Sequence, residues 1–344
     1  MKLKLKISIL ALIIYTNLSA TVITVNNTLT GAGQFTQIDP AITSAAAGDT
    51  IYVSGSASAY NNCTITKSIT LLGPGTFSSK QNSFPASIGE ITFSSNVSNV
   101  TIAGFKITNS IYVSKFTVSL NSNINNVTIR NNSFPAGAFG LYFNALSNSS
   151  NFLISGNILG SVDFSMNPNP NVSNITLENN IINGYINSLV CNNSLISNNV
   201  FYNNSNAFNA TITNATIQNN IFYNAHPSNF TSGCTFLNNL TYSTSLTYPT
   251  LSGTGNIDNV NPLFINVGTT GGYVATYDFR LQNSSPGHNA GNDGKDLGIY
   301  GGSAFVALSG ETYNMPVVRQ MTITNTNVSQ NGNLNVNVRS TKSR

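Results

Sequence analysis

Asn126-Val127-Thr128-Ile129-Arg130-Asn131-Asn132 and Asn174-Ile175-Thr176-Leu177-Glu178-Asn179-Asn180 are two copies of one phrase: a short apolar and Thr-bearing strand that runs into paired polar turn residues. Five shorter copies begin at Asn99, Asn151, Asn193, Asn214 and Gly233, so successive starts are separated by 27, 25, 23, 19, 21 and 19 residues. That spacing is the period of one solenoid coil. Side chains alternate faces along a strand, so the first and third positions after the leading residue point together. They are Val100 and Ile102, Val127 and Ile129, Phe152 and Ile154, Ile175 and Leu177, Ser194 and Ile196, Ala215 and Ile217, Cys234 and Phe236. These mostly apolar pairs form the inward face. The position between them points outward and carries Thr101, Thr128, Leu153, Thr176, Leu195, Thr216 and Thr235, a mainly β-branched choice that suits a strand surface.

Past the turn, Ile107, Phe134, Leu159, Ile182, Phe201 and Phe222 open a second strand of the coil. Six copies place Asn at one offset: Asn132, Asn157, Asn180, Asn199, Asn220 and Asn239. Stacked coils bring these amides into a column at about 4.8 Å spacing. Each amide can donate to one neighbour, accept from the other and satisfy turn backbone, and Asn tolerates the left-handed conformation of a sharp corner. A structural ladder is therefore preferred to a ligand-binding array.

The pattern resembles the right-handed parallel β-helix of the pectate-lyase-like superfamily, over about Thr21 to Gly302. The resemblance implies an all-β solenoid with an Asn ladder at a corner and says nothing of substrate. Phe35 to Ile42 then reads as a short amphipathic capping helix, and Gly48-Asp49 leads into the strand Thr50 to Val53. Rung-like segments follow at Cys63 to Leu72 and Ile88 to Phe93, with a projecting loop between them around Gly73-Pro74-Gly75. The stretch from Asn261 through Asp278-Phe279-Arg280-Leu281 to Gly302 resembles the closing coil of secreted bacterial β-helix proteins, in which its Asp residues organise turns. Asp293 and Asp296 are the weaker alternative, a cation site.

Three units result. Residues 1–20 read as a secretory signal peptide: Lys2, Lys4 and Lys6, an apolar run from Ile7 to Ile14, and Leu18-Ser19-Ala20 before cleavage. The run is short for a bilayer span, so the expected location is secreted or cell-surface with no transmembrane segment in the mature chain. Residues 21–302 are the solenoid. Residues 303–344 are a β-hairpin tail, because Met321 to Thr324 and Leu334 to Val338 alternate apolar and polar residues around a turn holding Asn331-Gly332. Its apolar face either packs on the last coil, which is preferred, or serves assembly.

The formal charge of +4 drops to +4 − 3 = +1 without the three leader lysines. The mature basic residues are scattered, which argues against nucleic acid. Cys63, Cys191 and Cys234 read as small core residues rather than a disulfide framework. Charged residues are only 7% of the chain, so solubility comes from Asn, Ser and Thr. Such a surface suits multivalent contact with neutral glycans better than the steering of charged ligands.

A lyase needs calcium-holding acids and a base, and a hydrolase needs carboxylates across the scissile bond. Between Tyr60 and Thr250 the acids are Glu90, Asp163 and Glu178, and the bases are Lys67, Lys80, Lys106, Lys115 and Arg130. Arg130 and Glu178 share an outward column two rungs apart, about 10 Å between strands, and read as solvated charges or a loose surface pair. His226 stands in a turn beside Pro227, and His288 lies in Ser284 to Gly291, neither in a nucleophile motif. No catalytic, cofactor or metal residue is assigned, and the reading leans against an enzyme. The first expectation is a non-catalytic surface protein that binds a polysaccharide or other cell-surface component, adhesin-like or structural. The alternative is a polysaccharide lyase or glycoside hydrolase of the same fold. Ice binding by the Thr column is a third reading, against which Leu153 and Leu195 interrupt the column.

Overall fold

The structure, a computed structural model, describes residues 20–28, 33–76, 84–113, 123–134, 140–143, 146–165, 172–202, 206–227, 229–269, 271–302, 316–323 and 336–342. The expected leader therefore lies outside the described residues, apart from Ala20. The described chain is a parallel β-solenoid with one short helix and a separate antiparallel hairpin.

All seven copies of the repeat stack as parallel neighbours in one long sheet, as Val100–Ala103, Asn125–Arg130, Ser149–Ser155, Val172–Glu178, Val190–Ser197, Ile212–Gln218 and Thr235–Leu237. Their alignment is the one the phrase dictates, with Val100 beside Val127, Val127 beside Phe152 and Phe152 beside Ile175. The inward columns are buried apart from the half-buried Cys234, Ile102, Ile129, Leu177, Ile196 and Ile217 completely, and each such apolar side chain contributes about 1.5–3 kcal/mol of transfer free energy. The sheet is extended at its start by Val22–Val25, Thr50–Val53 and Thr70–Leu72, and at its end by Gly253–Thr254. The Asn ladder runs one step beyond the seven copies, because the backbone N–H of Asn239 donates to Oδ1 of Asn256 at 3.0 Å.

Two further sheets complete each coil. One has five strands, Ile158–Leu159, Ile181–Ile182, Val200–Tyr202, Ile221–Tyr223 and Leu240–Tyr242. The other has seven, from Cys63–Ile65 through Ala86–Phe93, Phe105–Val113, Gly140–Phe143, Ser161–Asp163 and Ile186–Asn187 to Phe208–Asn209. The segment expected as one rung from Cys63 to Leu72 turns a corner, so Cys63–Ile65 and Thr70–Leu72 belong to different sheets. The capping helix is Ile38–Ser44, three residues later than expected, with Pro40 in its first turn where a missing N–H costs nothing. Ile38, Ala41 and Ile42 close the core.

Corners explain the asparagines. The leading residues Asn99, Asn126, Asn151, Asn174, Asn193 and Asn214 have φ between 51° and 64°, and so do Asn131, Asn179, Asn198, Asn219 and Asn238 at the following corner, at 52–56°. Asn accepts this left-handed backbone by local hydrogen bonding. Where Asn is missing from these columns, Gly156 and Gly233 replace it at φ 66° and 65°. The buried ladder is complete. Asn180 donates from both its backbone N–H and Nδ2 to Oδ1 of Asn199, each at 2.9 Å, and Nδ2 also reaches the Ile154 carbonyl. The leading asparagines form a second, exposed ladder, with Nδ2 of Asn126, Asn151 and Asn174 donating to Oδ1 of Asn99, Asn126 and Asn151.

The region after Asn261 departs from the closing coil that the resemblance implies. Phe264–Asn266 and Asp278–Leu281 pair antiparallel with each other, and the chain then runs back along the outside of the five-stranded sheet. Asn238 Nδ2 donates to the Ala290 carbonyl, Asn219 exchanges hydrogen bonds with Asn292, and Asn179 Nδ2 donates to the carbonyls of Ile299 and Gly301. Later residues thus meet earlier coils. The cause is the outward column Ile158, Ile181, Val200, Ile221 and Leu240, which packs with Phe264, Phe279, Leu281, Leu297 and Ile299 in a second apolar core. Gly298, at φ 80°, is a close approach here: a Cβ would stand 3.0 Å from Ile221 and 3.1 Å from Val200.

The tail hairpin is present as Pro316–Ile323 antiparallel to Val336–Lys342, with Ile323 opposite Val336 and Pro316 opposite Lys342. Its expected turn at Asn331-Gly332 lies outside the described residues.

Candidate functional site

The outer face of the seven-stranded sheet carries a column in strict alignment: Thr64, Thr92, Tyr112, Tyr142, Asp163, Asn187 and Asn209. Its residues alternate with the buried column Ile91, Ile111, Leu141, Val162, Ile186 and Phe208, so the pleat turns every one of them outward. Tyr112 and Tyr142 stack at 5.1 Å between ring centroids and 18° between planes. Both are half-buried. Asp163, Asn187 and Asn209 are shorter, so Tyr142 stands at a step in the column. Partial burial pushes its phenol up, with Tyr112, Asp163 and Tyr185 adding to the effect.

The polar members are oriented. Asp163 Oδ1 accepts from the Ser165 N–H at 2.7 Å and from Asn187 Nδ2 at 3.2 Å, and Thr92 Oγ1 donates to Glu90 Oε1 at 3.1 Å. In the adjacent position Gly140 faces Ser161, and at φ 114° a Cβ there would fall 2.0 Å from the Ser161 carbonyl oxygen. The two backbones therefore approach closely beside the tyrosines, and a side chain at position 140 does not fit. Rings that offer an apolar face, flanked by fixed acceptors and amide groups, can hold a ligand that is apolar on its ring faces and hydroxylated at its edges. Sequence reasoning missed this column. Its signal was the aromatic alternation in Ile111-Tyr112-Val113 and Leu141-Tyr142-Phe143, which lies outside the repeated phrase.

The residues singled out from the sequence are placed as follows. Arg130, Ser155 and Glu178 are successive members of one outward column of the long sheet, so Ser155 separates the two charges. Burial raises the Glu178 carboxyl above its ordinary value, and a hydrogen bond with Ser155 opposes that shift. His226 packs edge-on against Tyr248 at 4.9 Å, and burial lowers its imidazole. His288 Nδ1 lies 2.8 Å from Asp296 Oδ1. Asp296 also accepts from the Asn289 N–H, while Asp293 accepts from the N–H groups of Lys295 and Gly302. Both acids organise turns in the returning strap. Among the described residues no group of three or more His, Cys, Asp or Glu comes together.

Cys63, Cys191 and Cys234 are free thiols, the first two buried and the third half-buried. Burial pushes the Cys63 and Cys191 thiols up. The outward Thr column is in register with Leu153 and Leu195 interrupting it. No described helix is long and apolar enough to cross a membrane. The chain matches no protein-family profile and no curated protein sequence.

Proposed function

We propose that the chain is a secreted or cell-surface, non-catalytic solenoid that binds an extended neutral glycan along the outer face of its seven-stranded sheet. The observation that carries this reading is the aligned column with the Tyr112–Tyr142 stack at its centre. Rungs repeat at about 4.8 Å, so a polymer lying along the solenoid axis meets a new side chain at each coil. Weak contacts then sum, as in any multivalent association. The tyrosines supply faces for the apolar side of a sugar ring, and Asp163, Asn187 and Asn209 supply partners for hydroxyl groups. A chain with only 7% charged residues neither attracts nor repels a neutral polymer strongly. Export follows from Lys2, Lys4 and Lys6 ahead of the Ile7 to Ile14 run and Leu18-Ser19-Ala20.

A glycan-array screen of the protein from Thr21 onward, with mass spectrometry of every hit, tests the reading. Binding that leaves the glycan intact, and that Tyr142→Ala weakens at least tenfold, is expected. Binding unaffected by Tyr142→Ala refutes the placement of the site.

A carbohydrate-active enzyme is the second reading, favoured by one observation: Glu178 is a half-buried carboxyl beside Ser155 on the outward column of the long sheet, a setting that raises a carboxyl toward the range of a general acid. New unsaturated or hydrolysed oligosaccharides, lost in Glu178→Gln, decide for it.

A further inference from the structure

We infer that Asp49 is the receptor for the N-terminus that removal of residues 1–20 creates. This rests on the export reading of the leader and is independent of the glycan reading. Thr21 is the first residue after the expected cleavage point, and its backbone nitrogen donates to Asp49 Oδ1 at 2.7 Å. The other carboxylate oxygen, Oδ2, accepts from the Ala46 N–H at 2.7 Å. Asp49 is 4% exposed, an unusual setting for a carboxylate. Its own backbone belongs to the coil, since its carbonyl accepts from the Thr70 N–H at 2.9 Å. The Thr21 carbonyl accepts from the Thr50 N–H at 2.9 Å. Both sides of Thr21 are thereby held where the first rung, Val22–Val25, begins. Ala20 is exposed, so the scissile bond lies on the solvent side of this clamp.

Hydrolysis of the Ala20–Thr21 bond by a host leader peptidase consumes one water. Ala20 leaves with the new carboxylate, and the Thr21 nitrogen, relieved of its acyl group, takes up a proton. The product is an ammonium at the position where an amide N–H already meets a shielded carboxylate. A neutral donor becomes an ionic one with no movement of the fold, and such charge-assisted bonds are about twice as strong as neutral ones. The clamp bonds from Thr21 and Ala46 already hold the Asp49 carboxyl below its ordinary value, with a small contribution from Lys67. Lys67 itself is turned to the carbonyls of Thr43 and Ala45. Asp39, on the packed helix, is turned to the Thr64 N–H.

The pH dependence follows in sign. An α-amino group titrates ordinarily near about 7.7–8.0. Pairing raises it in the folded chain, so its contribution is complete below that range and is lost as pH rises through the raised value. The Asp49 contribution is present above the ordinary carboxylate range and is lost as pH falls through its lowered value.

The test is made on the exported full chain. Its N-terminus is read by mass spectrometry, and its α-amine is titrated by the pH dependence of acylation, folded and in urea. The expected result is Thr21 as first residue and an amine acylated about tenfold more slowly at about pH 6.5 when folded than when unfolded, equivalent to a shift of about one pKa unit. A chain that retains Ser19-Ala20 should titrate ordinarily while folded, and Asp49→Asn should abolish the shift. A different N-terminus, or an ordinary amine in the folded wild-type chain, overturns the inference whether or not any glycan binds.

Discussion

Two pairs of tyrosines stack along this solenoid and have opposite fates. Tyr202 and Tyr223, on the five-stranded sheet, lie 5.7 Å apart at 22°, and Tyr112 and Tyr142, on the seven-stranded sheet, 5.1 Å apart at 18°. The first pair is roofed by the returning strap: Tyr202 is fully buried, donates its hydroxyl to the Gly268 carbonyl at 2.8 Å, and meets Phe279 edge-on. Burial pushes its phenol up. The second pair is half-buried on an outward column beside polar side chains. A stacked tyrosine ladder is thus core where the strap covers it and a half-open outer face where the rings reach solvent.

The comparison breaks most readily on the covered side. Phe279→Ala should cost about 3–5 kcal/mol, as for other buried aromatics, because it opens the second core between Tyr202, Phe264 and Tyr273. Urea denaturation followed by tyrosine fluorescence checks this, and a cost below about 1 kcal/mol would mean that the strap is not a packing element. Next comes the ladder at the corner feeding that sheet. Asn199→Ala strips the acceptor from the Asn180 N–H and the donor from the Leu177 carbonyl, both buried, so a loss of about 1–3 kcal/mol is expected.

On the open side the stability effect shrinks while the functional one appears. Tyr142→Ala should lower stability by only about 0.5–1.5 kcal/mol, the worth of an aromatic pair, yet reduce glycan affinity at least tenfold. The same stability loss with unchanged glycan affinity would show that this column is merely structural. The smallest effect has the opposite sign. Glu178 is raised by burial, so wild-type stability falls as pH rises from the unfolded carboxyl value, about 4.3, through the folded one. Glu178→Gln should therefore be slightly more stable at pH 7, with the difference vanishing below pH 4 in parallel melts.

Much of this was legible in the chain because its causes are local. The alternation Val127-Thr128-Ile129 determines which side chains enter the core, and Asn at the corners reports the left-handed backbone directly. The seventh ladder step, at Asn256, escaped notice because Gly253 replaces the second residue of the apolar pair, leaving Leu251 alone in the core, and Gly255 replaces the corner Asn. The strap also had a signal that went unused. Ile158, Ile181, Val200, Ile221 and Leu240 each follow a ladder Asn and precede the next strand residue, making both faces of the five-stranded sheet apolar. A sheet buried on both faces reads in that way.

The sequence by itself determined the rungs, their register and their corners, since side-chain period and backbone conformation act within a few residues. Tertiary structure decided what lies over each outer face. Asn179 reaches Ile299 and Gly301 across 120 and 122 residues, and no local rule connects them. The Tyr112–Tyr142 column likewise exists only once coils stack, because its members come from separate rungs and meet through the spacing of the sheet.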